Sequence, residues 1–317
     1  MIQQIRQQPN LKDHLVYIKE AAYGRQAWKF WGVFLLMFVN WGIEARKWQV
    51  LLKPLQRMRF LRSYKAILTG VSFAMNTPNR IGEYGGRVLF VDEGNRIRSV
   101  SLTIAGSFSQ LIITLMLGVT GLFILSDDFM NSEYMISFSI WFRFIKMILT
   151  VITLGCILIY FRINWIVRTV DRLPGISSFA RHISVLEDLS VTLLLRVLSL
   201  SFTRFLIFII QYNLLLQALH VEIGWWHGFW IVSILFLCLA IWPTIAILEL
   251  GLRWEYSLLL FSLYSSNTVG IYAVATAIWL INLVLPALAG ALFLLGLRIF
   301  KKQEATTGRN ENLLKTK

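Results

Sequence analysis

The chain has 317 residues, of which 56% are hydrophobic and 15% charged, with a formal net charge of +14 and a mean hydropathy of +0.63. A soluble domain carries about a quarter charged residues, and several apolar runs here reach the roughly 20 residues that cross a bilayer as a helix. The composition excludes a soluble globular protein and predicts an all-α, polytopic integral membrane protein. The positive charge points away from nucleic acid and toward cytoplasmic loops that face anionic lipid. Cys156 and Cys238 lie inside apolar runs, and His14, His182, His220 and His227 share no ligand spacing. No disulfide framework, metal site or cofactor is expected.

Residues 1–27 are polar, with Leu11, Leu15, Ile18 and Ala22 at helical spacing. They predict an amphipathic helix on the membrane surface. The first span is expected over Trp28–Ile43, with Asn40 and Glu44 near its end able to face the bundle interior and the interface the preferred place for Glu44. Arg46 to Lys65 then carries seven Lys/Arg and reads as cytoplasmic by the positive-inside rule. Residues 63–97 are too polar in the middle to cross, and predict a re-entrant hairpin entered and left from the cytoplasm, with Gly94 as its helix stop.

Leu102–Leu125 is a full span, softened by Gly106, Ser107, Ser109 and Gln110. Ser126–Glu133 holds three acids and no Lys/Arg, so it reads as outside. Ile145–Phe161 returns inward to a polar linker, 162–189, where Pro174-Gly175 breaks any entering helix. Val191–Leu219 spans again with Arg204 about three turns in, which demands a partner. Trp225, Trp226 and Trp230 suggest an interfacial belt. Residues 226–267 predict a second re-entrant hairpin, entered from outside. The last span is Val269–Leu297, and 299–317 is a basic cytoplasmic tail. The reading is therefore about five full spans and two oppositely oriented re-entrant hairpins. These form one domain, 28–298, with inverted repeat halves at 28–161 and 190–298.

Two short polar stretches mark the hairpin tips. Thr77-Pro78-Asn79-Arg80-Ile81-Gly82-Glu83-Tyr84-Gly85-Gly86-Arg87 has a cap residue and then a proline suited to the first helical position. Glu83 and Arg87 stand four apart in the favourable order. Pro243 is followed by Glu249-Leu250-Gly251-Leu252-Arg253 in a matching pattern. Matching proline-interrupted polar segments in two halves point to a transporter binding site. A helix start is also an anion site. Thr77, Pro78, Asn79, Arg80, Glu83, Gly85, Arg87, Arg204, Pro243, Glu249, Gly251 and Arg253 are the candidate lipid head-group residues. The arginines would neutralise phosphate, with the glutamates orienting them or reading a cationic head group. Coincidence between two kinked helices is the bland alternative.

The stretch Thr77–Arg87, with its Pro78-Asn79-Arg80-Ile81-Gly82-Glu83 core, resembles the lysylphosphatidylglycerol synthase transmembrane region, a flippase-like family. Asn40-Trp41-Gly42-Ile43-Glu44-Ala45-Arg46-Lys47-Trp48, Arg204-Phe205, Gln211-Tyr212 and Glu249–Arg253 add to the likeness, which runs from about residue 28 to 298. Relatives usually carry one more span ahead of the first one here. The second motif departs from the first in lacking an adjacent glycine pair. Relatives that make aminoacyl-lipid carry a separate soluble transferase domain, and no segment here fits one. The resemblance thus implies translocation of a membrane lipid across the cytoplasmic (inner) membrane, with no catalytic residue. That lipid would be an anionic or zwitterionic phospholipid or a polyprenyl-phosphate type. A membrane-embedded lipid-phosphate transferase, and a non-catalytic partner of a biosynthetic enzyme, remain open at this level, as does self-association.

Overall fold

The computed structural model describes residues 23–130, 139–171, 183–242 and 244–296. The expected surface helix before residue 23, Pro174-Gly175, the basic tail and Pro243 lie outside the described residues. Every regular element among the described residues is helical. In chain order these are α1 (Ala27–Leu52), α2 (Phe60–Ala74), a 3-10 turn (Pro78–Arg80), α3 (Gly82–Val88) and α4 (Arg96–Ile124). They are followed by α5 (Ser126–Met130), α6 (Ser139–Phe161), α7 (Ile163–Asp171), α8 (Val191–Ala218), α9 (Trp225–Ile241) and α10 (Ala246–Phe261). The last, α11, runs over Thr268–Gly296.

Four helical stretches are long and apolar enough to cross a membrane: Glu93–Ile124, Ile140–Phe161, Val191–Ala218 and Thr268–Gly296. This is the architecture of a helical membrane protein. The fifth expected span, α1, falls outside that set. Its 26 residues extend about 39 Å at 1.5 Å per residue. However, it does not end at Ile43. It continues to Leu52 and carries Asn40, Glu44, Arg46 and Lys47 within its body. The expected cytoplasmic run of basic residues is therefore partly helix, and the loop between α1 and α2 is short. Gly94 also departs from expectation. The helix after Pro78 stops at Val88, and Gly94 sits in a 3-10 turn that leads into α4.

Local chemistry accounts for several helix ends. Ser190 caps α8 by accepting from Leu193 N at 3.3 Å, and Asn267 caps α11 by accepting from Gly270 N at 2.9 Å. Inside α11 the helix widens to π geometry over Leu280–Val284. Pro286 follows immediately. It has no N–H for the carbonyl of Asn282, and the ring crowds that turn, so the helix relaxes around it.

The packing is reciprocal. α1 lies along α8, the opening helix of the second half. It buries Val33, Met37, Trp41, Ala45, Trp48 and Leu52 at helical spacing. Hairpin α2–α3 folds back on itself because two glycines meet. A Cβ added at Gly86 would come within 2.6 Å of Gly70 Cα, so only glycine lets the arms close. The first arm of each hairpin then packs on the long helix that follows the other hairpin. α9 lies on α4, and α2 meets α11, where a Cβ at Gly290 would fall 1.9 Å from Leu68 O. The Lys65 ammonium also stands over the Phe293 ring at 5.5 Å.

Candidate functional site

Arg204 lies at the middle of the 28-residue α8, where an unpaired charge would cost about 2.5–3.5 kcal/mol in a bilayer. Its partners are on α1. Nε donates to Asn40 Oδ1 at 2.8 Å, and Nη1 makes a very short ion pair with Glu44 Oε2. Glu44 is 4% exposed, so it is a buried hub and not the interfacial residue expected. Because α1 continues past it for two turns, Glu44 sits inside the bundle instead of at a helix end. It also pairs with Lys47 Nζ at 2.7 Å and with Arg87 Nη2 at 2.9 Å. The Lys47 ammonium is completed by Gly106 O at 3.2 Å and Ser201 Oγ at 3.4 Å. Three acceptors match its three protons.

The first motif docks onto this hub through Arg87, and the second docks onto α8 through Arg253. Arg87, 3% exposed, bridges Glu44 and Glu83; its bond to Glu83 is the expected pair four residues apart on one helix. In the second motif Arg253 Nη2 donates to Glu249 Oε1 at 2.6 Å. Its Nη1 donates to Tyr212 Oη on α8, also at 2.6 Å. Glu44, Lys47, Asn40 and Tyr212 were not among the residues singled out as a site. The available signal was that Glu44 and Arg204 each need a partner of opposite sign in an apolar setting.

Arg80 is different from the others. Its side chain makes no hydrogen bond or ion pair with a described residue, and it is exposed. Yet it is close enough to act electrostatically on Glu83, Glu249 and Arg204. Its backbone is left-handed, with φ of 59°, a region that costs a non-glycine residue roughly 1–2 kcal/mol. The turn that imposes it is held by Thr77, whose Oγ1 accepts from Gly82 N at 2.8 Å. Thr77 thus caps α3 across the 3-10 turn that Pro78 starts.

These groups line one cavity of about 580 Å³, within the usual range for small-molecule sites. Of the candidate residues, Arg80, Glu83, Arg204, Glu249 and Arg253 line it, together with Glu44 and Lys47. Thr77, Pro78, Gly85, Arg87 and Gly251 do not. A Cβ at Gly85 or Gly251 would meet nothing within 4 Å. The side chain of Asn79 and all of Pro243 are outside the described residues. The cavity is also lined by Phe108, Phe205, Phe208, Phe236, Trp242 and Trp279, with the Arg204 guanidinium over the Phe208 ring and that of Arg253 over Phe236, each at 5.9 Å. Asn282, in the π segment, also lines the cavity, and its Oδ1 is buried without a partner. Among the described residues no group of three His, Cys, Asp or Glu gathers as a metal would require.

Comparison with protein-family models, with curated proteins and with solved structures finds no match. The fold and the site define a class: a helical membrane protein with an ionic cluster opening on an aromatic-lined cavity.

Proposed function

We propose that this protein binds an amphipathic lipid by a charged, phosphate-containing head group and carries it across the cytoplasmic membrane. The observation that carries this reading is the convergence of both polar motifs on one cavity. Arginines and a lysine line it together with aromatic rings, some of which stack directly on the guanidinium groups. Guanidinium groups recognise phosphate through charge-assisted, paired hydrogen bonds, while the aromatic rings suit the glycerol and upper acyl carbons.

The topology we attach to this function has five spans, with α1 as the fifth. The hairpins α2–α3 and α9–α10 dip in from opposite faces, and the C-terminus is cytoplasmic. The order of elements supports it, since α1–α2–α3–α4 and α8–α9–α10–α11 each run long, short, short, long. The crossed packing of each hairpin on the long helix that follows the other hairpin is what a two-fold relation would generate. The resemblance to the lysylphosphatidylglycerol synthase transmembrane region, residue by residue at Pro78, Arg80, Glu83, Arg204 and Glu249–Arg253, favours lipid movement in the same way.

Purified protein in liposomes with a fluorescent phospholipid tests the reading. The expected result is that an impermeant quencher bleaches the inner-leaflet probe faster than in protein-free vesicles. Unchanged bleaching with a new lipid product would make it a transferase. Unchanged bleaching with no product and no bound lipid would reject a lipid site.

A further inference from the structure

The ionic cluster is not balanced. Among the described residues, Lys47, Arg80, Arg87, Arg204 and Arg253 face only Glu44, Glu83 and Glu249. Two positive charges are left over. Their location is also visible. Glu249 is matched by Arg253 alone among ion pairs, and Glu83 by Arg87. Glu44 is shared by three cations, with Oε2 serving both Lys47 and Arg204. One surplus charge therefore belongs to this crowded hub. Arg204 is 8% exposed and lines the cavity, and its Nη2 has no partner among the described residues. The other surplus charge is Arg80, whose side chain makes no bond with a described residue and which is held by a left-handed backbone beside the same cavity.

Arg204 is buried and shares its carboxylate, and Arg80 is exposed at the same cavity with no carboxylate of its own, so an anion entering the cavity would meet both. A zwitterionic head group brings no net charge, and a phosphodiester brings one negative charge. Neither matches the two surplus positive charges at one cavity. A phosphate monoester carries close to two negative charges above its second ionisation near pH 6, with three terminal oxygens to share between two planar forks. We infer that the preferred occupant of the Arg80–Arg204 cavity is a lipid ending in a phosphomonoester or diphosphate, chosen over singly charged and zwitterionic phospholipids. This inference rests on the lipid-binding reading and narrows it.

The test uses the full chain in phosphatidylcholine nanodiscs and measures binding of added lipid by quenching of tryptophan fluorescence. Phosphatidic acid is compared with phosphatidylglycerol, phosphatidylethanolamine and free inorganic pyrophosphate at pH 5.5 and pH 8. Phosphatidic acid should bind at least about 10-fold tighter than phosphatidylglycerol at pH 8, and most of that preference should vanish at pH 5.5. Phosphatidylglycerol controls for titration of the protein itself. Arg80→Gln should erase most of the preference, weakening phosphatidic acid binding far more than phosphatidylglycerol binding. Equal affinity for both lipids at pH 8, or a preference that ignores pH, would overturn the charge inference and leave lipid binding standing. Saturable pyrophosphate binding as tight as that of phosphatidic acid would make this a soluble-anion site and overturn the lipid part. No saturable lipid binding at all would overturn both readings.

Discussion

Arg204 on α8 and Glu44 on α1 meet across 160 residues of sequence, and this ion pair fastens the first helix of each half to the other. Glu44 is the only carboxylate that touches Lys47 and Arg204 among the described ion pairs. Glu44→Ala should therefore strand several buried cations at once. Removing one partner of a buried pair costs about 3–5 kcal/mol, and this substitution should lie at or above that range. Arg204→Met should cost less, because the methionine fills apolar space and Lys47 and Arg87 still neutralise Glu44. Melting temperatures in detergent would check the order, and a smaller drop for Glu44→Ala than for Arg204→Met would show that the hub is solvated.

The long apolar helices were legible from hydropathy, and the Glu–Arg pairs from their four-residue spacing. Glu44 was not legible, because a hydropathy window ends a span where polar residues begin. Here the helix runs on to Leu52, and residues that look like a flank are enclosed by α2, α4 and α8. Tyr212 entered only through the resemblance at Gln211-Tyr212 and with no role, since a buried tyrosine becomes a partner only through the residue opposite it. The π segment had a readable cause in Pro286, but its role in bringing Asn282 to the cavity depends on how α11 packs. Gly85 and Gly86 looked equivalent as a pair. Only the helix phase separates Gly86, pressed on Gly70, from Gly85, which faces open space.

Arg87 and Arg80 belong to one motif and should respond in opposite ways. Arg87 is buried and off the cavity, held by Glu44 and Glu83. Arg87→Ala should lower stability by about 3–5 kcal/mol. Adding Glu83→Ala should recover part of the loss by removing one stranded carboxylate. The double-mutant cycle in thermal melts is the measurement, and strict additivity would mean that the two side chains do not interact.

Arg80→Gly removes the free cation and relieves the left-handed backbone together. Stability should stay level or rise by about 1 kcal/mol, while lipid binding and bleaching of the inner-leaflet probe fall sharply. Loss of both stability and binding would make Arg80 a structural residue. Retained binding would remove it from the site.

Contact between α11 and α2 can be tested at Gly290, where an added methyl would run into the Leu68 carbonyl. Overpacking of this kind typically costs about 1–3 kcal/mol. Gly290→Ala should lower the melting temperature, whereas Gly296→Ala on the same helix, with nothing within 4 Å, should not. Equal effects would dissociate the last helix from the first hairpin.

The orientation of that hairpin decides whether the two halves are inverted. Leu61 at the start of α2 is 72% exposed, and Arg98 at the start of α4 is also exposed, so a cysteine at either position should react without disturbing the core. In a background with Cys156 and Cys238 replaced by alanine, a membrane-impermeant maleimide is added to sealed inside-out and right-side-out vesicles. If α2–α3 enters and leaves from one face, Leu61→Cys and Arg98→Cys label in the same vesicle orientation. The corresponding pair for the second hairpin is Trp226→Cys and Ser265→Cys, and both should label in the opposite orientation. From the positive charge around Arg57, Arg59, Arg62, Arg96 and Arg98, the expected outcome is that the first pair labels in inside-out vesicles. Labelling of Leu61→Cys and Arg98→Cys from different sides would turn the hairpin into a span. The reciprocal packing of α2 and α9 would then be a coincidence of contact instead of a two-fold relation.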